Sequence, residues 1–291
     1  MAGALGAPLW AEHIAHSGPG EEHITDVVEV DGREVDVVST TGVPIGPTWS
    51  ARFMLGADAN GRDEMVRLLY GARSSLAVGF GAAAISLVLG ALLGVSAGYA
   101  RGRLDAVTSW LFMVIWSFPV ILLGVALGVS LALGGIDLGP VTIEGDSVLI
   151  PMIIIGVVFT PYVGRLLRAR VISLREEPFV EAARAAGAGP LQVVRSEIAP
   201  HLAATLLALA PIMVANAILL EAGLSFLGAG VQPPNPSWGG MIADGIELPT
   251  SAPHLLLVPG LALVATVLAV NGIGDAIGRR LGVDVRTGRA G

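Results

Sequence analysis

"EAARAAGAGPLQVVRSEIAP", residues 181–200, places Glu181, Arg184, Arg195 and Glu197 in a 291-residue chain that is 53% hydrophobic and only 14% charged. Soluble domains carry about 25% charged residues, so this balance argues for a protein of the bilayer. Bilayer proteins keep the links between their helices short, and a polar, helix-forming segment of this length needs a purpose beyond connection. It reads as helix, turn, helix. In "EEPFVEAARAA" (176–186), Phe179, Val180, Ala183 and Ala186 share one face of a short helix. Gly187-Ala188-Gly189 stops that helix, and Pro190 suits the first turn of the next. Periodicity alone leaves two readings open: a contact surface for another protein, or a solvated amphipathic loop resting on lipid headgroups.

Outward from this stretch, five uncharged runs reach or approach the roughly 20 apolar residues a spanning helix needs: 74–100, 106–135, 148–164, 202–220 and 255–274. Cationic loops stay cytoplasmic. Arg101 and Arg103 follow the first run, six arginines from Arg165 to Arg195 follow the third, and Arg279, Arg280, Arg286 and Arg289 follow the fifth. Loops 136–147 and 222–253 contain no arginine. Alternation therefore predicts an outside N-terminus, an inside 165–200 loop and an inside C-terminus. All 17 cations are arginine, so a Gly-x-x-x-x-Gly-Lys-Ser/Thr phosphate loop is excluded. There is no cysteine, hence no disulfide or thiolate metal site.

Residues 1–73 hold eleven acids against five arginines. "VVEVDGREVDVV" (27–38) alternates apolar and polar residues around Asp31-Gly32, a hairpin signal. Exporting this segment without a signal peptide is awkward. The expectation is that a further apolar helix precedes it, with "MAGALGAPLW" (1–10) as its last remnant.

Glu181-Ala182-Ala183, Gly187 four residues on, and Ile198-Ala199-Pro200 together resemble the EAA signature of ABC-importer permeases. "LGADANGRDEMVRLLYGARSSL" (55–76), "EAGLSFLGAGVQPPNPSWGGMI" (221–242) and "VNGIGDAIGRRLGVD" (270–284) are similar, in order, to further segments of the dipeptide/oligopeptide/nickel-type permeases. Ala57 replaces the Thr usual in that family. The likeness implies an all-α integral membrane fold, a type I importer permease core with five spans here where the family has six. It implies an extracytoplasmic segment 1–72, a permease domain 73–280 and a cytoplasmic tail 281–291. It also implies a non-catalytic subunit that pairs with a second permease, two ATPases that bind ATP and Mg, an extracytoplasmic binding protein and membrane lipid, with no nucleic acid. Glu181, Ala182, Ala183, Gly187 and Pro200 are then the ATPase-coupling residues.

Other residues carry competing readings. Asn216, Glu221 and Asn271 are candidates for the pathway or a gate; the asparagines equally suit interhelical hydrogen bonds, and Glu221 suits interfacial solvation. Gly90, Gly94 and Gly98 form a small-residue ridge for close packing within this chain or against a partner permease. Pro119, Pro161, Pro211 and Pro259 lie inside spans and suggest kinks or unwound turns. Asp275 is positioned to pair with Arg279. Gly94-Val-Ser96-Ala-Gly98 matches a hydrolase nucleophile pattern, yet no histidine lies at its depth. Glu12, His13, His16, Glu21, Glu22 and His23 admit a metal site but suit a solvated loop better. An ion-gradient-driven secondary transporter is the rival function. It lacks support from any internal repeat or central intramembrane acid.

Overall fold

The computed structural model describes residue 4 and residues 6–30, 32–137, 139–140 and 142–281. The predicted tail, apart from the backbone of Leu281, and Asp31 at the predicted hairpin turn lie outside the described residues. A short helix α1 (Ala7–Trp10) runs into a π-helical turn, Ala11–Ala15. Strands β1 (Val27–Val30) and β2 (Arg33–Asp36) pair antiparallel with Val30 opposite Arg33, which is the expected hairpin.

Then follow α2 (Glu64–Ala100), α3 (Gly102–Trp116), α4 (Val120–Gly134), the two-residue strands β3 (Ile136–Asp137) and β4 (Thr142–Ile143), and α5 (Leu149–Leu174). After these come α6 (Pro178–Ala185), α7 (Pro190–Gln192), a π-helical stretch Val193–Ile198, α8 (Ala199–Phe226), α9 (Trp238–Gly245) and α10 (His254–Leu281).

Four of the five expected spans are long apolar helices, and the second is broken. α3 and α4 meet at 85°, with Pro119 at the break. Proline cannot donate to the preceding turn and pushes the residue before it out of the helical region. Pro161, Pro211 and Pro259 instead sit within continuous helices, as membrane helices tolerate proline within a span. Span four is longer than its apolar run. Pro190–Phe226 forms one helix of 37 residues, so the second half of the polar loop is continuous with the membrane helix.

The chain divides into two compact units, and each long helix contributes to both. One unit holds the described residues up to Val78 with Gly124–Met152 and Ile218–Val267. Its core joins Ala72 of α2 to Trp238 and Met241 of α9, with Leu68, Leu76, Ala262 and Leu263 against them. Ala11 and Ala15 pack on Val66, which anchors the N-terminal helix to the first turn of α2.

The other unit holds Gly79–Leu123, Ile153–Ala217 and the described residues from Leu268. Here the glycine ridge packs within the chain. A Cβ on Gly94 would stand 2.3 Å from the Gly164 carbonyl oxygen, and one on Gly90 would stand 2.5 Å from Val163 Cβ. α2 and α5 therefore touch backbone to backbone, with dispersion rather than water exclusion as the attraction. Ser96 Oγ donates to the Leu93 carbonyl at 3.1 Å, so the hydrolase-like pattern is a helix-packing ridge.

Candidate coupling site

α6 forms where Pro178 supplies a pre-set first turn and Val180 supplies an apolar anchor, fully buried. It packs on the π-helical stretch, whose Val193 and Ile198 are also buried. Phe179 stacks on His201 at a centroid distance of 4.9 Å. Gly187 then takes φ +90°, and Pro190 opens the next helix after an extended Gly189. A Cβ on Gly187 would meet nothing within 4 Å. The requirement for glycine there is conformational rather than steric.

The polar face is left open. Glu181, Ala182 and Arg184 are exposed, Leu191 is 80% exposed, and Pro200 is exposed at the start of α8. Among the described residues Glu181 makes no ion pair and no side-chain hydrogen bond, and it does not cap α6. Ala183 is half-buried.

Contacts with the end of α2, which the sequence did not single out, tie the segment to the rest of its unit. The Arg175 guanidinium donates to the Tyr99 carbonyl at 2.8 Å, and Arg175 and Arg184 lie 5.9 and 5.5 Å from the Tyr99 ring centroid. Arg101 pairs with Glu176 at 2.9 Å. Tyr99 at the end of α2 thus meets Arg175 in the turn after α5 and Arg184 at the end of α6. These arginines read in the sequence as an orientation signal, and nothing in their spacing pointed to a tyrosine so far back along the chain.

Glu221 corrects its sequence reading. It is not solvated at an interface but fully buried inside α8, five residues from its end. Ser75 Oγ donates to Oε2 at 2.9 Å and Ser225 Oγ to Oε1 at 2.6 Å. The serines in turn accept from the backbone, Ser75 from Trp238 N at 3.3 Å and Ser225 from Val231 N at 3.0 Å. One carboxylate therefore fastens α2, α8, the loop after α8 and the start of α9.

Asn216 is half-buried and Asn271 exposed. Among the described residues neither makes a side-chain hydrogen bond, so the expected interhelical bonds are not formed. Asp275 forms no ion pair with Arg279. In the N-terminal segment His23 is held by Ser17 at 3.1 Å and by Asp26 at 3.0 Å, and among the described residues no three acid or histidine side chains converge as a metal site.

A further cluster was missed. Arg67, 5% exposed, pairs with Asp58 at 3.0 Å and Asp244 at 2.7 Å, and Arg62 reaches the same two acids. It locks the loop before α2 onto α9. Asp63 beside it accepts from the backbone amides of Phe53, Met65 and Val66, while burial pushes its carboxyl above the usual range.

Residues 74–286 match the family model described as binding-protein-dependent transport system inner membrane component. The chain is 40% identical over 228 residues to a dipeptide transport system permease protein DppC of Alkalihalophilus pseudofirmus, covering 78% of this chain and 71% of that protein. It is 37% identical over 235 residues to a di/tripeptide transport system permease protein DppC of Pseudomonas aeruginosa, covering 79% and 73%. It is 33% identical over 231 residues to an oligopeptide transport system permease protein OppC of Haemophilus influenzae, covering 79% and 70%. Among solved structures, an inward-facing conformation of the MetNI methionine ABC transporter aligns with a TM-score of 0.60 at 23% identity, over 75% of this chain and 97% of that one. At that identity the likeness concerns the fold.

Proposed function

Because the chain belongs to the family of binding-protein-dependent transport system inner membrane components, we propose that it is the permease subunit of an ATP-driven peptide importer. It lines part of the translocation pathway and couples to cytoplasmic ATPases through residues 178–200. The observation that carries the coupling role is the open helix–turn–helix, with Glu181 and Leu191 exposed on a segment continuous with a membrane helix. Glu181 offers a carboxylate to a cation on the ATPase, Ala182 and Ala183 keep the contact face low, and Gly187 and Pro200 set the entry and exit angles. The names of the relatives support peptides as the substrate class.

The partners are a second permease, two ATPases that bind ATP and Mg, and an extracytoplasmic binding protein, with membrane lipid around them. The arginine pattern supports a cytoplasmic C-terminus, an extracytoplasmic segment 1–72, a permease domain 73–280 and a cytoplasmic tail 281–291. Asn216 and Asn271, polar and without partners among the described residues, are proposed to face the pathway.

Co-purification tests this reading. The full chain is expected to bring down an ABC ATPase whose activity rises when the peptide-loaded binding protein is added. A chain that associates with no ABC ATPase while its neighbours' products assemble would sink it.

A further inference from the structure

We propose that a groove between α3 and α5 binds the headgroup of an anionic phospholipid, with its acyl chain along the apolar wall. The groove has a volume of about 530 Å³ and is lined by Ala106, Ser109, Trp110, Met113, Arg165 and Arg168. Its charges are not equivalent. Arg168 is spent on Asp105, to which it donates from Nη2 at 2.7 Å. Arg165 has no carboxylate partner among the described residues. Its guanidinium instead lies 5.1 Å from the Trp116 ring centroid, and Trp116 stacks on Tyr162. After local pairing, one net positive charge faces the groove.

Depth argues in the same direction. Arg165 follows Leu149, the start of α5, by sixteen residues, which is about 24 Å of helix rise. That brings it near the far side of a hydrocarbon core of about 30 Å. Tryptophan and arginine favour that level, where one end of the side chain is apolar and the other meets headgroups.

The wall chooses between ligands that share an anionic group. Trp110 is 59% exposed and Met113 55% exposed. A free phosphate would satisfy Arg165 and leave both bare, whereas a phospholipid covers the indole and thioether with an acyl chain and brings its phosphate to the guanidinium. The assignment to the cytoplasmic leaflet rests on the orientation proposed above. The binding itself does not, and its test involves neither transport nor ATP hydrolysis.

The experiment is native mass spectrometry of the transporter assembly carrying the full chain, released from nanodiscs that hold phosphatidylglycerol and phosphatidylcholine in equal amounts. The wild type is expected to retain one phosphatidylglycerol more than Arg165→Ala, whose affinity for that lipid falls about fivefold, in keeping with one arginine near a charged surface. Arg165→Lys keeps the lipid. Ala106→Leu, which narrows the groove without removing a charge, loses it, and this variant decides the matter if Arg165→Ala does not assemble. Equal phosphatidylglycerol retention by wild type, Arg165→Ala and Ala106→Leu overturns the proposal. So does displacement of the lipid by millimolar inorganic phosphate, which would make the groove a site for free anions.

Discussion

The helix–turn–helix at 178–198 and the carboxylate node at Glu221 are both polar islands on apolar helices, yet they treat polarity in opposite ways. Around Glu221 the paired groups close on one another. The carboxylate accepts from two serines, the serines accept from two backbone amides, and the whole is buried. At 178–198 the backbone is capped and turned, but Glu181 and Leu191 end in solvent. A satisfied polar group within a core holds a fold together. On the proposed reading, the exposed Glu181 and Leu191 of 178–198 are the side chains that an ATPase would meet. The same residue type, glutamate, thus has two different uses here, and partnering separates them.

The sharpest way to break this contrast is Glu221→Ala. It removes the acceptor of two buried hydroxyl donors, each loss costing about 1–3 kcal/mol. The variant is expected to lower the thermal stability of the purified assembly by several kcal/mol and to reduce its accumulation in the membrane. Unchanged stability would show that the node holds nothing together.

Gly187→Leu acts on the other region. A side chain at φ +90° costs about 1–3 kcal/mol locally, too little to prevent insertion. Substrate-stimulated ATPase activity and uptake are expected to fall by an order of magnitude or more. Normal uptake by an inserted Gly187→Leu chain removes this turn from the mechanism.

Glu181→Ala sharpens the contrast further, because among the described residues Glu181 makes no ion pair and no side-chain hydrogen bond. Stability is expected to stay within about 0.5 kcal/mol of the wild type, as for other surface changes, while uptake falls severalfold. A loss of stability matching the loss of uptake would make Glu181 a second Glu221.

The smallest effect concerns Tyr99. Tyr99→Phe keeps the ring under Arg175 and Arg184 and should transport normally. Tyr99→Ala loses two cation–π contacts of about 0.5–1 kcal/mol each and is expected to transport less peptide per ATP hydrolysed. Equal transport per ATP in the two variants would show that α6 does not signal through the end of α2.

Much of the fold was legible because membrane helices obey local rules. The glycines at 90, 94 and 98 announced a close approach through their spacing alone, and the structure supplies the facing glycine, Gly164. The helix, stop and restart at 178–190 could be read from proline and glycine positions. The break at Pro119 was legible only as a kink or an unwound turn, since the 85° bend between α3 and α4 depends on what packs against each half. Glu221 was misread for a related reason. Its place at the end of an apolar run suggested water, whereas its full burial, with Ser75 from 146 residues away on its carboxylate, shows that the site is dry.

By itself, therefore, the sequence determined where the chain enters apolar surroundings, where its helices stop and turn, and which loop is too polar to be a mere connection. These features follow from transfer energies and backbone preferences that act within a few residues. The tertiary structure alone decided which polar groups are satisfied. It closed Glu221 with serines from two helices, tied Arg184 to Tyr99 and Arg67 to Asp244, and among the described residues left Glu181 without a cationic partner and Arg165 without a carboxylate. A hydrogen bond or ion pair exists only when two groups come within about 3 Å, and no local rule fixes the distance between residues so far apart in the chain.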